Sequence, residues 1–290
     1  SAAYDMKDQD ERGWYVYNTL TRHAERTQAD LKVFLTARGA EFQSFWAANM
    51  LVATVDRALI EEIAARSDVA RVDSNRPARW IEDPVIADLR DAPETPFTTE
   101  WGLNNVNAPA VWAMGFTGQG MIIANQDKYR GWNGTTADHN FNWHDSIHSG
   151  GGSCGPNTLI PCDDHGHGTH TTGTTVGDDG AGNQVGVAPG AKWIGCRNRD
   201  VGNGTPATYT ECFQFFIAPT DLSGNNPNPA LRPHVMNNSW GCPPSEGCVT
   251  RAELETIVNN TDAAGIFVEV SAGNPGPGCS TLADAPAVYS

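Results

Sequence analysis

Asp163-Asp164-His165-Gly166-His167-Gly168-Thr169-His170-Thr171-Thr172-Gly173-Thr174-Thr175-Val176 is the stretch around which the chain is organised. Glycines between the imidazoles let the backbone approach closely, and the Thr/Gly run that follows is compatible with a helix. A histidine at the mouth of a helix suits general-base work, because imidazole titrates near neutrality and the helix fixes its direction. The spacing equally admits a metal held by His165, His167 and His170, or a plain structural loop. The stretch alone leaves all three readings open.

Outward from it, apolar strands alternate with helices beyond Trp101, which predicts a parallel sheet covered on both faces, an α/β fold. The expected strands are residues 121–125, 192–196, 234–238 and 266–270. Thr208 with Glu211, and Thr250 with Glu253, have capping-box spacing. The helices they open should bury Phe213, Phe216 and Ile217 in one case and Leu254, Ile257 and Val258 in the other, with Gly265 ending the second. In such folds the residues just past the carboxyl ends of the strands build the site, which draws attention to Asp127, Ser239 and Asn274.

Before Trp101 the pattern is a smaller self-contained unit. It reads as a strand over 14–20, a helix over 21–38 with Ala24, Leu31, Phe34 and Leu35 on one side, and a strand over 42–55. A helix capped by Asp56 turns Leu59, Ile60 and Ile63 inward, and a last strand covers 69–72. That order predicts a small α+β open sandwich. Between Arg76 and Thr99 four prolines forbid long regular elements, as in an exposed, cleavable linker. The expected division is 1–80, a linker over 81–100, and 101–290 as the start of a larger domain.

A formal net charge of −15 argues against phosphate-rich partners, so neither nucleic acid nor an anionic membrane is expected. No apolar run approaches the roughly 20 residues needed to cross a bilayer. Seven cysteines fall into near neighbours, Cys154 with Cys162 and Cys242 with Cys248; Cys196 with Cys212 makes a third pair and Cys279 is left over. None has the close spacing of metal-binding pairs, so stapled loops and a secreted protein are expected.

Asp127 follows a strand and could hold an imidazole in the tautomer a base needs. Asn274, flanked by small residues after the last strand, could donate to a developing oxyanion. An exposed main chain at Ser239-Trp240-Gly241 could pair with an extended peptide. Each is also compatible with an ordinary loop or strand end.

Taken together, Gly118-Gln119-Gly120 through Asp127, Asp164 through His170, Asn238-Ser239-Trp240-Gly241 and Ser271-Ala272-Gly273-Asn274 occur in the order found in subtilases, and Gly186-Val187-Ala188-Pro189 fits as well. The chain resembles a subtilisin-like serine protease precursor of the secreted, bacillopeptidase-F-like group. The resemblance implies an endopeptidase with Asp127 orienting the base, His167 as the base, and Asn274 as oxyanion donor. It further implies that Ser239, Trp240, Gly241, Ser271, Ala272 and Gly273 grip a peptide or protein substrate. Residues 1–80 would be a propeptide that inhibits its own catalytic domain, its tail running from Val72 toward Trp80. No cofactor is required, and calcium is possible by family analogy, although Asp178-Asp179-Gly180 is a lone acidic turn.

Two departures accompany the likeness. Subtilases carry their nucleophile in a downstream Gly-Thr-Ser motif, which does not occur among these 290 residues, so the fragment is expected to be inactive alone. After Asp127 the family has Thr-Gly or Ser-Gly, whereas this chain continues Lys128-Tyr129-Arg130-Gly131. Gly151-Gly152-Ser153-Cys154-Gly155 matches the Gly-x-Ser-x-Gly pattern but lacks the strand and helix that a nucleophile elbow needs. Two other functions remain open. One is a zinc hydrolase using the three histidines, whose run is similar to that of metallo-β-lactamases except that they carry Asp where Thr169 stands. The other is a catalytically dead subtilase relative that binds or inhibits proteases.

Overall fold

The computed structural model describes residues 2–79, 99–126, 139–178, 180, 182, 184–241, 252–274 and 277–279. Near its start Asp8 accepts hydrogen bonds from the amides of Asp10 and Glu11, opening α1 (Gln9–Ala37). Buried Gly13, Val16, Ala24, Gln28 and Leu35 recur at helical spacing along one stripe. The strand expected over 14–20 is therefore the first half of this helix. Its aromatic and β-branched residues look strand-like locally, but burial follows a period near 3.6. Residues 42–55 form a hairpin rather than one strand: β1 (Phe42–Phe45) pairs antiparallel with β2 (Met50–Ala53). The turn between them includes Asn49 in the left-handed region at φ 49°. Asp56 caps α2 (Arg57–Ala64) as expected, by accepting from the Leu59 amide. Leu59 and Ile63 are half-buried but Ile60 is exposed, and residues 69–72 form no strand.

Farther along come β3 (Ala78–Arg79), α3 (Trp101–Asn105), α4 (Ala108–Ala113), β4 (Ile122–Gln126), β5 (Trp143–Asp145) and α5 (His167–Val176). They are followed by β6 (Lys192–Arg197), β7 (Asn203–Gly204), α6 (Pro206–Ile217), β8 (Val235–Asn238), α7 (Ala252–Ala263) and β9 (Phe267–Val270). Strands β5, β6, β4, β8 and β9 make one sheet in that order, every pair parallel. The four expected strands are present to within a residue or so. The chain leaves β4 on one side to build β6 and returns on the other to build β8. Strand order thus reverses at β4, where open α/β sheets form a crevice beyond the carboxyl ends.

Helix α6 begins earlier than expected. Thr205 accepts from the Thr208 amide while the Thr208 hydroxyl accepts from the Thr205 amide, and Pro206 occupies the first turn. Thr208 is therefore the third residue of a capping box, not its cap. Phe213, Phe216 and Ile217 from α6, and Leu254, Ile257 and Val258 from α7, are buried together as expected. Gly265, at φ 86°, follows α7. Truncating fully buried Phe216 to alanine is expected to cost about 3–5 kcal/mol, the usual range for an aromatic removed from a packed core. A urea titration of the chain reads that loss as a lower midpoint at unchanged slope.

The N-terminal unit packs on α6 and α7. Gln214 Oε1 accepts the amides of Trp46 (2.8 Å) and Ala47 (3.2 Å), and Asn260 donates to the Ala47 carbonyl (2.7 Å). Arg12 donates to the carbonyls of Ala263 and Asp262 at the end of α7, and Asn75 accepts the Ala207 amide at the start of α6. These are the orphan groups that helix ends leave exposed.

At the same interface, Glu211 accepts from Gln43 Nε2 at 2.6 Å, and His144 Nε2 and His148 Nε2 lie 2.7 and 2.9 Å from it. The bond to Glu211 raises His148 to about 9. Burial pushes the Glu211 carboxyl up, but hydrogen bonds from His144 and His148 outweigh it and hold the group at about 2. The sign follows from linkage. The raised histidine contributes stability that is complete below 6.5 and lost as pH climbs through about 9. The depressed carboxylate contributes stability that is complete above 4.5 and lost as pH falls through about 2. The pair therefore holds best between these limits. The urea midpoint should fall on the alkaline side, and His148→Gln should flatten that limb; an unchanged limb would remove His148 from the account.

Two expected disulfides are present, Cys154–Cys162 and Cys196–Cys212. Cys242 and Cys248 lie outside the described residues. Cys279 is exposed and without a disulfide partner among the described residues.

Candidate active site

His167 is the first residue of α5, and the turn before it is tied by Asp163. This buried carboxylate accepts from the amides of His165 (2.9 Å), Gly166 (2.6 Å) and Thr169 (3.0 Å), and from the Thr169 hydroxyl (2.6 Å). Gly166 stands at φ 90°, a conformation that costs glycine little and other residues more. One aspartate thus accepts the Thr169 amide, one of those left open at the helix start, and ties the turn that leads into the half-buried His167.

A second network lashes α5 to the sheet. Asn125, buried near the end of β4, donates to the hydroxyls of Thr171 (2.8 Å) and Thr172 (2.7 Å) on α5. Its Oδ1 accepts from Asn237 on β8 (3.0 Å), and Asn237 in turn donates to Ser239 Oγ (2.9 Å). The histidine helix, the end of β4 and the start of the Ser239 edge therefore form one hydrogen-bonded assembly at the strand reversal. Sequence reading quoted Asp163 and Asn125 only as parts of longer motifs and gave no role to either or to Asn237. Amides inside otherwise apolar strands were the available signal, since a buried amide needs partners.

The other expected site residues distribute as follows. Asp127 comes directly after β4 in the chain but lies outside the described residues. Ser239 and Gly241 are half-buried, and Trp240 is buried with its ring 4.0 Å from that of Tyr209. The Ser271 amide donates to the Asn238 carbonyl (3.1 Å), so the segments leaving β8 and β9 start from a fixed offset. Ser271 is half-buried, and Ala272, Gly273 and Asn274 are exposed beyond it.

Near this edge β3 pairs antiparallel with β7, Ala78 opposite Gly204 and Arg79 opposite Asn203. Sequence reading treated this part of the chain as the tail of the first unit without assigning it a strand. Gly204 sits against Tyr209: a Cβ there would lie 2.5 Å from the ring. Gly202, two residues earlier, lies beside the His165 ring. The segment to which the tail pairs thus passes the His165 ring and lies against Tyr209, whose ring contacts that of Trp240.

Among the described residues, no three His, Cys, Asp or Glu side chains gather as a metal-holding set, the three histidines included. Asp178 accepts from the Gly180 amide within its own turn. The zinc reading therefore draws no support from the geometry; Asp179, the other carboxylate of the acidic turn, lies outside the described residues. Gly152–Cys154 is a short 3-10 turn closed by a disulfide, not an elbow between strand and helix. Among the described residues no helix is long and apolar enough to cross a membrane.

Comparison with known proteins places this geometry. The chain is 31% identical over 283 residues to Bacillopeptidase F of Bacillus subtilis, a match covering 89% of the chain and 19% of that protein. It is 28% identical over 201 residues to the alkaline protease of Alkalihalobacillus alcalophilus, covering 68% of the chain and 46% of the relative. The chain thus spans about a fifth and under half of these relatives. The crystal structure of the epidermin leader peptide processing serine protease from Staphylococcus aureus superposes with a TM-score of 0.58 at 16% identity. That match covers 85% of the chain and 58% of the solved one and speaks for the fold. The Subtilase family profile matches residues 103–290, and with it the chain belongs to the subtilase family.

Proposed function

We propose that the chain is a fragment of a secreted serine endopeptidase precursor, comprising residues 1–80 as an intramolecular inhibitor, a linker cut on maturation, and the N-terminal part of the catalytic domain. The observation that carries the reading is the Asn125 network, which ties the His167 helix, β4 and the Ser239 edge together at the strand reversal.

In this reading a serine supplied by sequence beyond residue 290 attacks the peptide carbonyl, and His167 takes its proton and returns it to the leaving amine. Asp127 holds the imidazole and stabilises its charged form, and Asn274 donates to the tetrahedral oxyanion. The segments Ser239 to Gly241 and Ser271 to Gly273 pair with the extended substrate backbone. The pairing of Ala78 and Arg79 with β7 supports an inhibitory tail that occupies a strand position a substrate would otherwise take.

The test compares the full-length protein with residues 1–290 alone. The first is expected to cleave a peptide substrate and the second to show no turnover. Turnover by residues 1–290 that disappears on His167→Ala would overturn the assignment of the nucleophile. Added residues 1–80 are expected to slow the mature protease, and failure to do so removes the inhibitor role.

A further inference from the structure

Arg197, the last residue of β6, is fully buried, yet its guanidinium faces two carboxylates. Nη1 donates to Asp145 Oδ2 (3.1 Å) and the Gly155 carbonyl (2.7 Å); Nη2 donates to the Gly151 carbonyl (2.7 Å) and Asp164 Oδ2 (3.3 Å). Asp145 also accepts from the amides of Ile147 and Thr158. Three separate pieces of chain meet on one cation: the end of β5, the disulfide-closed loop from Gly151, and the first residue of the histidine turn. A buried guanidinium with two buried carboxylates is an expensive way to gain stability, because desolvation offsets most of the attraction. What it provides is direction, since the planar fork fixes its acceptors.

We propose that Arg197 is a positioning residue for His167, acting through Asp164 to set the histidine turn against the strand that receives the substrate. The path is short. Asp164 lies within the turn that Asp163 ties, and His167 heads the helix that follows. On its other side, Arg197 leads through Asp200 directly into β7, where the tail pairs. The base and the docking strand are therefore referred to the same buried cation. Reacting groups must be held near their attack geometry, and small displacements from remote changes cost rate. The inference rests on the reading of His167 as the base.

The test uses the full-length protease carrying Asp164→Asn, Arg197→Lys or Asp145→Asn, with kcat expressed per titrated active site. Asp164→Asn is expected to lower kcat about 10- to 100-fold with KM within threefold of wild type, and to move the His167 imidazole resonances. Asp145→Asn touches the same cation away from the histidine turn, so it should lower the melting temperature and leave kcat within twofold. If Asp164→Asn does not fold, Arg197→Lys is read against Asp145→Asn in the same way. Equal kcat per site in wild type and Asp164→Asn, with unmoved His167 resonances, overturns the inference. Wild-type protein without turnover sensitive to His167→Ala instead overturns the reading on which it rests.

Discussion

Full-length protein carrying His167→Ala is expected to lose about six orders of magnitude in kcat, the scale seen when a triad histidine is removed from a subtilisin. The size follows from the role. Without the imidazole, the serine hydroxyl has nowhere to send its proton as it attacks, and the leaving amine has no donor. In the proposed mechanism both proton transfers pass through this one side chain, so losing it removes the nucleophile's function as well. KM should change little, since His167 is not asked to bind the ground state. The residual rate should not respond to serine-directed acylating agents. A neighbouring control separates base from bystander: His170, exposed on the same helix, should tolerate alanine with kcat within a fewfold. The zinc reading makes the opposite forecast, that His170→Ala and His167→Ala are equally harmful and both release metal. Equal loss in the two variants would sink the protease mechanism.

The second large effect is expected at Asn274. Its replacement by alanine should lower kcat about 10²- to 10³-fold with KM nearly unchanged, because an amide aimed at the oxyanion works only once charge has developed there. In this structure the residue is exposed at a Gly/Asn turn, with Gly273 at φ 82°. A conformation that glycine adopts without a Cβ penalty sets the direction in which the chain leaves β9. Asn274→Asp is the sharper control. It preserves shape but presents a carboxylate to an oxyanion, so it should be at least as damaging as alanine at neutral pH and should not raise KM for a neutral peptide. A loss confined to KM would make Asn274 a binding residue instead.

How much of this was readable in advance depends on what each residue had to do. The parallel strands were legible because each carries a short apolar run, Ile122-Ile123-Ala124, Trp193-Ile194, Val235-Met236 and Phe267-Val268, set between segments rich in turn residues. Strand β5 was not. Trp143-His144-Asp145 is short and carries two polar residues whose partners, Glu211 and Arg197, lie far along the chain. The first half of α1 misled for a related reason: its outward aromatics resemble strand residues, and only packing on α7 reveals the helical stripe. Of the site, the histidine turn and the strand-end segments were visible as local motifs. The Asn125 and Asn237 bridge and the Arg197 hub were not, because their meaning is a juxtaposition made by the fold rather than a spacing in the sequence.

The contact between Arg12 and the carbonyl of Ala263 spans 251 positions, and Asn260 reaches Ala47 across 213. A ribosome adding roughly 5 to 20 residues per second needs about 12 to 50 seconds between making the first partner and the second. During synthesis, then, α1 and its hairpin exist long before the surface they cover. The last turn of α7 is completed only when a segment made much earlier returns to it. Assembly of this interface is accordingly a late, high-contact-order event, and its rate should respond to whatever keeps the waiting N-terminal segment from engaging other apolar surfaces in the interval.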